Sequence, residues 1–270
     1  MSRLCKKFSD LSESGEKALV CYVVAGDPNI ARTHDIILAL DRAGVDVIEL
    51  GIPFSDPLAD GPSIQLGSQR ALANGVSVQE VLDLVAKVRL NSDIPIVLMT
   101  YFNPVMRFGV ERFAMEASKA GADGVIQTDL TPEEANEWVA LARAHDLDTI
   151  FLVAPTSTEA RIQVVSGMAT GFVYAVSRTG VTGARSSVPA ELPEMISRIR
   201  KSTSTPVCVG FGISSAEHVS VISQYADGVV VGSALVDLIG KTGDIDELGS
   251  VVEVFARDLK QATHPVTQLS

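Results

Sequence analysis

Glu49 and Asp60 bracket a run of unusual composition, Glu49-Leu50-Gly51-Ile52-Pro53-Phe54-Ser55-Asp56-Pro57-Leu58-Ala59-Asp60-Gly61-Pro62. Ahead of it lies the apolar alternation Val45-Asp46-Val47-Ile48, the pattern of a short strand. With a period of two, Val45, Val47 and Glu49 share one face of that strand, and Asp46, Ile48 and Leu50 share the other. Pro53, Pro57 and Pro62 forbid a regular helix or a central strand, so a stiff loop carries Asp56 and Asp60. A glutamate at a strand end and an aspartate on the following loop can divide acid and base work if their surroundings differ. A carboxyl beside barrel-type apolar groups has its pKa raised by desolvation and serves as an acid near neutrality. A loop carboxylate that stays ionised stabilises positive charge developing on a substrate.

What holds these two groups is an alternation of strands and helices. Leu4, Phe8 and Leu11 predict a short amphipathic helix over Arg3–Gly15, and Ala18–Ala25 reads as a strand buried on both faces. Helix Ile30–Ala43 leads to the Val45 strand. A long helical region, Ser63–Leu90, broken near Gly75, leads to strand Ile94–Thr100. The pattern continues through helices Val110–Ala120, Pro132–His145, Thr158–Ser166, Pro189–Ser202 and Ala216–Ser223. Their following strands are Gly124–Gln127, Thr149–Ala154, Gly171–Ser177, Pro206–Phe211 and Gly228–Val231, with closing helices from Ala234. The strand entries echo one another in Ala43-Gly44-Val45-Asp46, Ala120-Gly121-Ala122-Asp123 and Tyr225-Ala226-Asp227. The expected architecture is α/β, a single (β/α)8 TIM barrel domain over residues 1–270 with an extra N-terminal helix. In such a barrel the site lies at the carboxyl ends of the strands, where Glu49 and its loop emerge.

Glycine-bearing segments follow the last strands: Ser177–Ser187, Gly210-Phe211-Gly212-Ile213-Ser214-Ser215, and Val231-Gly232-Ser233-Ala234. Glycine lets backbone N–H groups approach oxygen closely, and a helix N-terminus favours an anion. Their placement predicts a phosphorylated small-molecule ligand, and the long polar Ser177–Ser187 segment suits a lid. No P-loop or complete dinucleotide fingerprint occurs, so ATP and NAD are not indicated.

Composition narrows the field. The net charge of −11 argues against nucleic acid as a partner, and no apolar run is long enough to span a membrane. The opening residues lack a signal-peptide core, so a cytoplasmic location is expected. Cys5, Cys21 and Cys208 read as buried thiols in a reducing compartment, and no metal-ligand spacing involves His34, His145, His218 or His264.

Taken together, the Glu49–Pro62 run, Ser177–Gly183 and Gly210-Phe211-Gly212-Ile213 resemble the tryptophan synthase α subunit, with similarity from Leu19 to about Leu238. The resemblance implies retro-aldol cleavage of indole-3-glycerol phosphate to indole and glyceraldehyde 3-phosphate. It implies Glu49 as the general acid/base and Asp60 as the carboxylate that holds the indole N–H. Tyr22, Tyr174 and Phe211 would line the pocket; Gly183, Gly212, Gly232 and Ser233 would hold the phosphate, and Thr182 would join the lid to the Asp60 loop. Pro53 and Asp56 would lie near the interface with a β subunit in an α2β2 complex. Pyridoxal phosphate is expected only in that partner, and no cofactor or metal in this chain. Tyr22 stands where Phe is frequent, and Thr128-Asp129-Leu130-Thr131 stands where Pro-Asp-Leu-Pro is common. Asp129 is expected to border the site or to cap a helix at Pro132. A stand-alone indole-releasing lyase and a weakly active scaffold that regulates a β-like partner stay open as alternatives.

Overall fold

The computed structural model describes residues 2–176, 191–210 and 212–264. The strands in that range are short, apolar and almost wholly buried, as strands covered on both faces must be. They are β1 (Ala18–Val24), β2 (Val47–Gly51), β3 (Ile96–Thr100), β4 (Gly124–Gln127), β5 (Asp148–Val153), β6 (Val173–Val176), β7 (Val207–Gly210) and β8 (Gly228–Val231). All pair in parallel with their sequence neighbours, and β1 pairs with β8, so the sheet closes into a barrel. Helix α1 (Arg3–Ser14) precedes it. Around it run α2 (Ile30–Arg42), α3 (Pro62–Ala73), α4 (Val78–Val88), α5 (Phe102–Phe108), α6 (Val110–Ala120), α7 (Asn136–Ala144), α8 (Glu159–Met168), α9 (Leu192–Arg200), α10 (Ala216–Ser223), α11 (Ser233–Thr242) and α12 (Leu248–Gln261).

The period of two sorts side chains between two cores. Val20, Val47, Val97, Ile126, Ile150, Phe172, Tyr174, Cys208 and Val230 fill the barrel interior. Ile48, Leu50, Leu98, Val125 and Val209 face outward to the helices. Glu49, two residues on from Val47, therefore points inward. The bottom of the barrel is stoppered by α1, whose Leu4, Phe8 and Leu11 join the interior cluster, with the Phe8 ring 6.0 Å from that of Phe172.

The repeated strand entries have a shared physical cause. Asp46 accepts from the Leu19 amide at 2.8 Å, Asp123 from Ile96 at 2.8 Å, and Asp227 from Val207 at 2.9 Å. Each aspartate ties the entry of its own strand to the first residues of the strand before it. Cations cover the outer side: Lys260 on Asp46, Arg3 and Arg89 on Asp123, and Arg200 on Asp227.

Three expectations need correction. Val45 does not belong to the strand face of Val47 and Glu49. Its amide bonds to Leu40 while that of Gly44 (φ +87) bonds to Asp41, the double closure of a helix C-terminus, which puts Val45 in the outer core. The helix expected from Pro132 begins at Asn136, because residues 132–134 form a separate turn in which Thr131 binds Glu134. Helix α5 was not expected. Pro104 reads as a breaker, yet it sits in the first helical turn, where its missing N–H costs nothing.

Candidate active site

Glu49 ends the interior face of β2 and is 1% exposed, and neither carboxylate oxygen has a hydrogen-bond partner among the described residues. Such burial disfavours the ion. Desolvation, with a smaller contribution from the charge of Asp60, pushes the Glu49 pKa up to about 8. Asp60 is brought over the same opening by the proline-rich loop. Its amide bonds to Pro57 at 3.0 Å, and its carbonyl accepts from the Gln65 side chain at 2.9 Å. Desolvation raises Asp60 to about 6, and a hydrogen bond from Tyr101 opposes the rise. Near neutrality the pair is thus split, with Glu49 mostly protonated and Asp60 mostly ionised.

Both groups line one cavity of ≈ 480 Å³ at the carboxyl ends of the strands. Its walls are largely apolar, from Met99, Ile126, Leu152, Tyr174 and Val230, with the Tyr22 ring beside them. Tyr22 is the register partner of Glu49 on β1, and Tyr174 the partner of Cys208 on β7. Each tyrosine leans over a glycine of the next strand. A Cβ on Gly51 would lie 2.7 Å from the Tyr22 ring carbon that bears the hydroxyl, and one on Gly210 2.6 Å from the same atom of Tyr174. Glycine is required at both positions for the rings to lie as they do.

At the far side of the cavity, Gly232 precedes α11 without a side chain to cap it, and Gly232, Ser233 and Ala234 line the space. The Ser233 and Ala234 amides at the start of α11 are therefore available to an anion, while that of Leu235 bonds to the Gly232 carbonyl. Gly212 joins them with φ +76, and a Cβ there would meet nothing within 4 Å. The arrangement can hold a planar apolar ring between two carboxylates with a phosphate at the helix end.

Glu49, Asp60, Tyr22, Tyr174, Gly212, Gly232 and Ser233 thus meet in one cavity. Thr182, Gly183, Phe211 and the lid segment lie outside the described residues. Pro53 is buried beneath the loop, while Asp56 is exposed on it, bonded to Ser55; neither lines the cavity. Asp129 does not border the cavity, although Thr128 does. It caps neither Pro132 nor α7, but accepts from the Phe102 amide at 2.7 Å and so closes the N-terminus of α5. Sequence reasoning missed Tyr101. Its hydroxyl accepts from the Ala59 amide at 2.9 Å and donates to Asp60, fixing the loop. The signal was available, since Tyr101 leaves β3 at the same barrel end where Glu49 leaves β2. No group of His, Cys, Asp and Glu side chains arranged to hold a metal occurs among the described residues.

A closed parallel barrel with a split carboxyl pair in an apolar mouth, facing an uncapped helix N-terminus, defines a barrel enzyme acting on a ring-bearing anionic substrate. Comparison with known proteins narrows this class. A sequence model described as "Tryptophan synthase alpha chain" matches residues 8–264. The alpha chain of Geobacter sulfurreducens is 50% identical over 262 residues, covering 97% of this chain and 99% of that one. That of Caldanaerobacter subterraneus is 46% identical, covering 97% and 99%. Among solved structures, a chain of Mycobacterium tuberculosis tryptophan synthase superposes with a TM-score of 0.89 at 39% identity, covering 97% and 98%. The Legionella pneumophila alpha chain gives 0.89 at 32% identity over 100% of both chains. The chain belongs to the tryptophan synthase alpha chain family, which makes it a lyase of tryptophan biosynthesis that cleaves indole-3-glycerol phosphate.

Proposed function

We propose that Glu49 and Asp60 carry this cleavage between them. The observation that carries the assignment is the unpartnered, buried Glu49 carboxyl opposite the Asp60 loop in an apolar mouth. In the ground state, protonated Glu49 donates its proton to C3 of the indole ring. Ionised Asp60 holds the ring N–H and stabilises the positive charge that protonation places on nitrogen. The bond from C3 to the glycerol side chain then breaks, and its electron pair returns to the ring. The side-chain hydroxyl on the departing carbon gives its proton to the Glu49 carboxylate and becomes the aldehyde of glyceraldehyde 3-phosphate. Indole leaves, and Glu49 is protonated again.

The phosphate lies against Gly212, Gly232 and Ser233 at the start of α11, with Thr182, Gly183 and Phe211 completing the enclosure. Tyr22 and Tyr174 flank the ring. The chain works with a β subunit in an α2β2 complex, which accepts the indole and carries the pyridoxal phosphate; no cofactor is assigned to this chain. The partner meets the loop of Pro53 and Asp56. Leu58 (88% exposed) on that loop and Met106 (56%) on α5 support this face, because they give it apolar reach on connections after adjacent strands. The location is cytoplasmic; among the described residues no helix is long and apolar enough to cross a membrane.

The test is indole release from indole-3-glycerol phosphate by the purified chain, alone and with a tryptophan synthase β subunit. We expect slow release alone and faster release with β. Glu49→Gln is expected to abolish release, and Asp60→Asn to lower it about 100-fold or more, the scale of one lost electrostatic stabiliser. Near-normal release by either variant removes that residue from the mechanism.

A further inference from the structure

The reading above, on which this inference rests, gives both carboxylates a task and leaves the hydroxyls of the two wall tyrosines, Tyr22 and Tyr174, without one; that of Tyr22 belongs to the residue opposite Glu49. We propose that Tyr22 determines ring selectivity, its hydroxyl serving as a hydrogen-bond partner for a hydroxyl substituent on the indole ring.

The strand register and two close approaches to glycines place that hydroxyl. Tyr22 stands opposite Glu49 in the β1–β2 register, so its ring starts at the level of the reacting group. The ring is 5% exposed, and its tip rests against the bare Cα of Gly51, where a Cβ would collide with it. At its base, the Tyr22 Cβ lies 3.4 Å from where a Cβ on Gly232 would sit, so the ring spans from the anion end to the carboxyl end. The hydroxyl makes no hydrogen bond to another described residue, whereas the Tyr101 hydroxyl across the loop is engaged by Ala59. Thr128, another hydroxyl on the lining, is already turned to the Thr100 carbonyl at 3.3 Å. Burial, with the charges of Asp60 and Glu49, keeps the phenol protonated well past its ordinary range. It is thus a neutral donor and acceptor throughout the working pH.

Met99, Ile126, Leu152 and Val230 on the same wall are apolar, and Tyr174, which carries the other phenol hydroxyl of the wall, stands opposite Cys208 and not opposite Glu49. A ring held by Asp60 at nitrogen and by Glu49 at C3 turns its benzo edge to such a wall. A hydroxyl on that edge offers the Tyr22 hydroxyl a partner that an unsubstituted ring does not.

The experiment runs the lyase in reverse, condensing glyceraldehyde 3-phosphate with indole or with 4-, 5-, 6- or 7-hydroxyindole, in the wild-type chain and in Tyr22→Phe. The quantity read is the ratio of kcat/KM for each hydroxyindole to that for indole. For at least one isomer the ratio is expected to fall about tenfold in Tyr22→Phe, the size of one neutral hydrogen bond. Ratios unchanged within about twofold for all four isomers overturn the proposal. Should Tyr22→Phe fail to fold, wild-type dissociation constants decide instead: no hydroxyindole binding tighter than indole overturns it equally. The two readings fail in different ways. A wild-type chain that condenses no indole at all brings down the lyase assignment and this proposal together, whereas normal indole turnover with flat ratios sinks only the role of Tyr22.

Discussion

At the scale of single residues, the site is governed by how two carboxyl groups are desolvated to different degrees. The proposed mechanism needs Asp60 ionised, which holds above about 6, and Glu49 protonated, which holds below about 8. The pH profile of kcat/KM for the free enzyme should therefore be a bell with limbs near these values; a profile flat from pH 5 to 9 contradicts the split. The same burial has a thermodynamic sign. A carboxyl whose folded pKa is raised binds its proton more tightly in the folded state, so stability falls as pH rises from the unfolded value of 4.5 through about 8. Glu49→Gln removes that dependence. It should raise Tm at pH 8.5 more than at pH 5, and an equal shift at both would mean that Glu49 is not the buried acid. Both carboxyl positions were legible in the sequence: Glu49 is in phase with Val47 of the interior core, and Asp60 lies on the proline-rich loop that leaves the same strand. For Tyr101 the sequence offered only its place at the end of β3; its hold on the Asp60 loop was not legible, since a tyrosine at a strand end reads the same whether it packs or holds a loop.

Among the elements, the aspartates at the strand entries do at one end of the barrel what no catalytic residue does at the other. Asp123, 3% exposed, satisfies the Ile96 amide and two arginines, one of them, Arg89, nearly buried itself. Asp123→Ala should cost about 3–5 kcal/mol, the penalty for orphaning a buried partner. A denaturant titration would show this as a lower midpoint with the KM for indole-3-glycerol phosphate nearly unchanged; a loss below 1 kcal/mol would mean that Arg89 finds other acceptors. The echo at the strand entries, Ala-Gly-x-Asp at Asp46 and Asp123 and Ala-Asp at Asp227, was visible in the sequence, and eight alternations made the barrel legible. Its meaning was hidden, because the partner amides of Leu19, Ile96 and Val207 lie on a preceding strand and only the fold brings them close. For the same reason α5 and the Asp129 that caps it were out of reach: the donor, Phe102, is separated from its cap by the whole of α6 and β4.

For the whole molecule, closure of the barrel separates a chemical end from a structural one. Phe8 packs on Phe172 at the stoppered end. Phe8→Ala should lower stability by about 3–5 kcal/mol while indole release at 25 °C keeps its KM, and a large change in KM would show that the two ends are coupled. The stopper also has a history in time. Ser2 bonds to Asp148, Arg3 to Asp123, and Ala18 pairs with Gly228. During synthesis at ~5–20 residues per second, the roughly 210 residues between Ala18 and Gly228 take on the order of 10–40 s to appear. Throughout that interval Leu4, Phe8 and Leu11 have no interior to enter, and the outer edge of β1 has no strand to pair with. A nascent chain of this design offers an apolar helix and an open strand edge to whatever binds such features, and a segment made well before the last strand waits longest to be housed.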